Sequence, residues 1–389
     1  MGIYGIAELP LHYGVAPRWL FNRMVNLASE ILEIMYNEFG EIKIMERISN
    51  PLWFQAFSNV LGFDWHSSGS TTVTCGVLRE ALEKIDINLA IAGGKGRKSL
   101  KTLDDINNIS KKFNFNEELT NKLKEVSRLV AKIDNSAVQD GFNLYHHVML
   151  ISKSGDWSVI QQGMNIETRF ARRYHWYSKN IKDLVEEPHT AISCPIKVEE
   201  VLNLVAKESH KTRKTILDLI NEEPNRIKTY LMEVNRILNK SEKLDKWVNN
   251  IGGHETTIRI KVFYKPINEK EINWKKLEEI YKVNVRDFKE FLLQHGVGPS
   301  MLRALSLISE LIYNDPPSKR DPVTHIYDPI KWSYAVGGKD GVPYPISKKH
   351  YDDVILELRT IIEAIRKNEK GKIMAFKNLK KISEKWSSI

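Results

Sequence analysis

Residues 142–162 read FNLYHHVMLISKSGDWSVIQQ. Two apolar, strand-like runs flank Lys153-Ser154-Gly155-Asp156. That pattern predicts a β-hairpin, because glycine at a central turn position supplies the backbone freedom a tight connection needs. With Ser154 and Gly155 as the two turn residues, His147 faces Gln162 and Val148 faces Gln161, within ~5 Å at Cβ. Both faces of the hairpin carry apolar residues, so it is expected inside a sheet.

Upstream, residues 19–39 alternate at helical spacing (Leu20, Met24, Leu27, Ile31, Ile34, Met35), with Pro17 ahead of them and Gly40 as the stop. A second apolar segment follows Pro51 through Trp53, Phe54, Phe57, Val60 and Leu61. After the loop GFDWHSSGSTT comes another helix, VTCGVLREALEK. The stretch INLAIAGGKGRKS predicts a short buried strand entering a glycine-lysine loop, and residues 117–133 a helix. Downstream, 199–221 and 225–238 are expected as lysine-rich helices, 256–264 (TTIRIKVFY) as one strand, and 354–365 as a last amphipathic helix. No internal repeat is visible. The expected class is α+β. An N-terminal mixed α/β domain (1–195) holds the hairpin and the candidate catalytic residues. A helical and strand connection (196–285) and a helix-hairpin-helix region (286–365) follow, and a basic tail (366–389) ends the chain. The border falls near Pro195, where mixed strand and helix give way to mainly helix.

Composition narrows the class. The chain has 389 residues, 42% hydrophobic and 28% charged, as in soluble globular proteins. No apolar run reaches 18 residues, so no membrane partner is expected. The N-terminal MGIYGIAELPLHYG lacks the pattern of a secretory signal. The only cysteines, Cys75 and Cys194, point to a reducing, cytoplasmic setting and away from a disulfide framework or structural zinc. The net charge is +9, and the tail from Arg366 onward carries eight basic residues against two acidic ones, a net +6. Such a pole attracts nucleic acid by counterion release, or is simply a solvated helix.

Residues 294–305 read QHGVGPSMLRAL, between two apolar helical segments expected at 287–293 and 300–313. Gly-apolar-Gly between short helices is the pattern of a helix-hairpin-helix. The apolar residue plugs the gap between the helices, and the glycines let a phosphate approach the backbone. Amides of Gly298, Ser300 and Met301 would lie at a helix N-terminus, where the dipole favours an anion. Gly296, Gly298, Ser300 and Arg303 are therefore the expected DNA-backbone contacts, with Lys339 added from the later basic loop. One departure is Leu302, where such motifs usually carry a small residue. An ordinary tight turn between packed helices is the alternative. The string ETRFARRYHWYS interleaves Arg172 and Arg173 with aromatics, which suits a nucleic-acid backbone and stacked bases, or a helix with an aromatic core face.

Polar residues also cluster within apolar surroundings. Asp64 and Asp140 are the expected ligands of Mg2+ or Mn2+, which would activate water and neutralise a scissile phosphate. His66, His147, Gln162 and Asp140 are the expected catalytic residues. The strand-hairpin arrangement matches restriction-like nucleases only loosely, because Gln161-Gln162-Gly163 stands where Glu-x-Lys is expected. Each lone histidine is equally at home as a hydrogen-bonded core residue.

Several long strings resemble one family: GIAELPLHYGVAPRWLF, LWFQAFSNVLGFDWHSSGSTTVTCG, QDGFNLYHHVMLISKSGDWSVIQQGMN, ETRFARRYHWYS with EEPHTAI, and GVGPSMLRALSLISELIY followed by SYAVGGKDGVPYP. They resemble a prokaryotic, largely archaeal conserved domain of unknown function, number 763 in its series, over nearly the whole chain to about residue 365. That resemblance implies no activity. From the residues, the expected function is a DNA-binding, metal-dependent nuclease acting on single-stranded or branched DNA in repair or recombination. Oligomeric state, homo-oligomers included, stays open. The alternatives are a non-catalytic DNA-repair accessory protein and a base-excision glycosylase, whose downstream acid would be Asp315 or Asp321.

Overall fold

The computed structural model describes residues 18–61, 68–249 and 264–326. In chain order the helices and strands are α1 (Arg18–Ser49), α2 (Pro51–Val60), α3 (Ser68–Lys84), β1 (Leu89–Lys95), α4 (Thr102–Phe113), α5 (Glu117–Lys132), β2 (Val138–Gln139), β3 (Asn143–Ser152), β4 (Trp157–Met164), β5 (Ala171–Tyr177), β6 (Ala191–Cys194), β7 (Leu202–Asn203), α6 (His210–Ile220), α7 (Pro224–Asn249), α8 (Trp274–Val283), α9 (Phe288–Leu293), α10 (Pro299–Leu311) and β8 (His325–Ile326). The class is α+β. Gly40, at φ 75°, kinks α1 where the first helix was expected to stop. The basic-aromatic string 167–178 forms β5 and its approach, not a helix. Helix α6 starts only at His210, because Asn203 caps the preceding loop through the amides of Val205 and Ala206. The expected strand 256–264, apart from Tyr264 in a turn, and the expected helix 354–365 and basic tail lie outside the described residues.

Six of the described strands form a sheet in the order β1-β3-β4-β5-β6-β8, antiparallel except where β6 meets β8, and β2 pairs antiparallel with β7 apart from it. Its two faces bury different cores, as side-chain alternation along each strand requires. Ile91, Val148, Leu150, Ile160 and Tyr177 pack with α1, α2 and α3. Ala92, Met149, Ile151, Val159, Tyr174 and Trp176 pack with α4, α5 and the later helices. That second core runs from Ala90 to Val323, so the expected border near Pro195 does not interrupt it.

The hairpin is interior, between β1 and β5. Its register differs from expectation by one residue: His147 pairs with Gln161 and Val148 with Ile160. The cause is a three-residue loop between Ser152 and Asp156, in which Gly155 takes φ 86° and donates to the Ser152 carbonyl at 2.9 Å. One residue of slip exchanges faces. Gln161 therefore stands beside His147 towards α5, while Gln162 pairs with His146 on the other face.

Candidate functional site

A cleft of about 910 Å³ opens where α5, the β3–β4 hairpin and the turn between α9 and α10 meet. Helix α5 forms because Asn116 caps it by accepting from the Leu119 amide, and because Leu123, Val126, Leu129 and Val130 bury one face. The cleft wall it offers carries Ser127, Arg128 and Lys132. A π-helical turn, Ile133–Ala137, follows and sets Asp134 fully inside.

The hairpin lines the cleft with Leu144, Tyr145, His146, His147 and Gln161. His147 Nε2 lies 2.9 Å from Ser127 Oγ, and His147 Nδ1 lies 2.8 Å from Gln161 Oε1. Gln161 Nε2 donates to an Asp134 carboxylate oxygen and to the Val130 carbonyl at 3.3 Å. Both of those are acceptors, so the amide orientation is fixed and Oε1 must accept from His147. The proton then sits on Nδ1, and Nε2 offers a lone pair to the Ser127 hydroxyl. Asp134 accepts further from Trp176 Nε1 at 2.9 Å and contacts His189 Nε2 at 2.5 Å. Burial pushes the His147 imidazole below its ordinary pKa, while Gln161 and Asp134 act in the opposite direction.

The turn contributes the opposite wall. Val297 is buried as the apolar plug, and Gly296 adopts φ 86°. Lys132 Nζ donates to the Val297 carbonyl, and Gln139 Nε2 to the Pro299 carbonyl at 2.9 Å, which anchors the turn to the sheet side. Gly298 begins α10 with no side-chain cap. The two glycines differ in kind. A Cβ on Gly296 would stand 3.2 Å from Asn273 Nδ2 and Lys276 Cγ, in a backbone conformation other residues avoid. A Cβ on Gly298 would meet nothing within 4 Å, and its φ of −138° is ordinary extended backbone. The fold does not require glycine at 298; its absence of side chain keeps the cleft wall open. Gly296→Ala should therefore cost about 1–3 kcal/mol in urea unfolding, whereas Gly298→Ala should stay within about 0.5 kcal/mol of the parent. Equal losses at both positions would contradict this division.

Several expected site residues lie elsewhere. Arg172, expected on DNA, is fully buried: its guanidinium donates to Asp140 Oδ2 at 2.7 Å and to both oxygens of Asp321, at 2.9 and 2.7 Å. Burial is the largest single influence and opposes its charge, but Asp140, Cys194, Tyr174 and Asp321 together outweigh it and raise the guanidinium's pKa. Asp140 also accepts from Tyr174 Oη at 2.7 Å and the Phe142 amide at 2.9 Å. Its carboxylate is thus taken up by protein donors, and Asp140, expected as metal ligand and catalytic residue, is not among the residues lining the cleft. Asp321 is the third member of that cluster and Asp315 accepts from Thr215 at 2.7 Å; neither is among the residues lining the cleft. Arg173 is buried on the other face, over the Phe54 ring at 4.7 Å, and donates to Gln55 at 3.1 Å; it is not a surface contact. Gln162, expected as catalytic, bonds to Tyr145 Oη. Ser300 reaches Glu271 at 3.4 Å, and Arg303, whose pKa burial lowers while Glu271 opposes, is half-buried outside the cleft lining. Asp64, His66 and Lys339 lie outside the described residues.

Ser127, Asp134 and His189 had not been singled out from the sequence. A serine within a helix carries no local signal, and Asp134 lies 27 residues from the glutamine it orients. No Asp or Glu is among the residues lining the cleft, and no cluster of three His, Cys, Asp or Glu suited to a metal occurs among the described residues.

Fold and site define an α+β protein with a cationic cleft between a sheet and a glycine-bearing helical turn. The chain belongs to the DUF763 family: the model described as "Protein of unknown function (DUF763)" matches residues 5–346. No curated protein and no solved structure matches the chain. No helix among the described residues is long and apolar enough to cross a membrane.

Proposed function

We propose that the protein binds the sugar-phosphate backbone of DNA in this cleft, with the Gly296–Ser300 turn at its rim. The observation that supports this most is the shared cavity: Gly296, Gly298 and Pro299 line the same space as Arg128 and Lys132, with no carboxylate among its lining residues. Arg128 and Lys132 stand one helical turn apart, a like-charge pair that is mildly unfavourable unless an anion lies between them. Backbone amides and cations of this kind grip phosphate without reading sequence.

Fluorescence anisotropy with labelled single-stranded, duplex and flapped DNA tests the proposal. Affinity should fall steeply as salt rises. Gly298→Val should weaken binding by about tenfold or more, equivalent to about 1.4 kcal/mol, with thermal unfolding unchanged. Unchanged affinity in that variant, or no binding at low salt, would refute it. A hydrolytic role is the second reading, favoured by the neutral His147 in the cleft wall. The same samples incubated with EDTA, Mg2+ or Mn2+ report cleavage. Cleavage that needs metal would direct substitution first to Asp64 and His66.

A further inference from the structure

We propose that Ser127 is a nucleophile, with His147 as its base and Gln161 and Asp134 as positioning residues, in a site that opens phosphate diesters. The choice of phosphate diesters rests on the backbone-binding function proposed above; the relay itself does not. Four side chains from four elements form one continuous chain: Ser127 on α5, His147 on β3, Gln161 on β4, and Asp134 in the π-helical turn. Its hydrogen-bond directions are forced from the buried end. Asp134 can only accept when ionised, so Gln161 presents its oxygen to His147, and His147 presents a bare Nε2 to Ser127. That is the arrangement in which an imidazole takes a hydroxyl proton, its other nitrogen held by a third group. A network serving only the core has no need to end at a cavity wall. This one ends at a hydroxyl that lines the cleft, next to Arg128 and five residues before Lys132.

The step balances without a redox partner. Ser127 Oγ attacks phosphorus, and its proton passes to His147 Nε2. The bond from phosphorus to the leaving oxygen breaks, and that oxygen takes the proton from His147. Water then attacks the phosphoserine, giving its proton to His147, and the P–Oγ bond breaks as Ser127 recovers a proton. Arg128 and Lys132 face the charge on the phosphoryl oxygens. One water is consumed per diester opened.

The test is covalent capture with a biotinylated alkyl fluorophosphonate on the full chain in EDTA, read by intact mass and peptide mapping. Attack displaces fluoride and leaves one adduct. The expected result is a single adduct on Ser127, absent in Ser127→Ala and formed at least about 10²-fold more slowly in His147→Gln. Circular dichroism and thermal unfolding of each variant show that it is folded. No adduct on the parent, an adduct on another residue, or equal labelling rates in the parent and folded His147→Gln would overturn the proposal. For Gln161, 15N-histidine spectra should show the Nδ1-protonated tautomer of His147 in the parent and a tautomer mixture in Gln161→Leu. An unchanged tautomer would remove its positioning role. The probe carries no nucleic acid, so the two proposals fail separately: labelling without DNA binding retires the backbone reading alone, and DNA binding without labelling retires the relay alone.

Discussion

Arg172→Met should destabilise the protein by about 3–5 kcal/mol, read as a lower midpoint in urea unfolding. Two features set the size. The guanidinium and its partners Asp140 and Asp321 have side-chain exposures of 0%, 1% and 2%, so water cannot replace the lost pairing. Removing only the cation also leaves two carboxylates facing each other. The same cluster ties β5 to the segment before β8, since Asp321 additionally accepts from the amides of Val198 and Val323, at 2.7 and 3.2 Å. Arg172 further stacks on Phe142 at 4.4 Å, which methionine keeps in part. Replacing all three ionic residues together (Asp140→Asn, Arg172→Met, Asp321→Asn) should recover a large share of the loss, because the main penalty is an unpaired buried charge. A loss below about 1 kcal/mol in Arg172→Met would mean that the cluster adds little to stability.

Gly93→Ala should be nearly as damaging. Gly93 sits in β1 at φ 90°, and an added Cβ would lie 2.3 Å from the His147 carbonyl oxygen and 2.8 Å from Thr102 Oγ1. The backbone conformation costs an alanine about 1–3 kcal/mol. Relieving the contact adds about 1–3 kcal/mol, because strand β3 must move. The glycine is held on both sides, its amide donating to Asp105 at 2.9 Å and its carbonyl accepting from Arg79 at 2.6 Å, so it has little freedom to retreat. Gly96→Ala is the control: φ is 57°, but nothing lies within 4 Å of its Cβ. Urea unfolding should show the larger loss at 93, and the difference measures the contact together with the greater backbone strain at φ 90°. Equal losses would mean that β3 yields freely at His147.

Much of this was legible in the sequence where one segment decides its own structure. The hairpin, its interior place, the strand entering the glycine-lysine loop, and the helices on either side of Gly296-Val297-Gly298-Pro299 all follow from local pattern. The register did not follow, because a glycine near the middle of a turn fits both a two-residue and a three-residue loop. Arg172 and Arg173 among aromatics suggested a surface. Their burial depends on partners such as Asp321, 149 residues away, and Gln55, 118 residues away, which no local pattern reveals. The cleft was half visible: His147 and the glycines were recognised separately, but Lys132, which joins the turn to the hairpin side, lies 165 residues from Val297.

The loop between Ser152 and Asp156 also settles a matter of parity. Adjacent histidines on one strand serve opposite halves of the molecule: His147 reaches Ser127, while His146 lies on the other side among Arg173 and Lys95, its pKa pushed down to about 3 chiefly by burial. Lengthening or shortening that loop by a single residue would reassign the glutamines, setting Gln162 or Ile160 across from His147 in place of Gln161. The residue count of that loop, closed by Gly155 at φ 86°, thus decides which amide the cleft imidazole leans on.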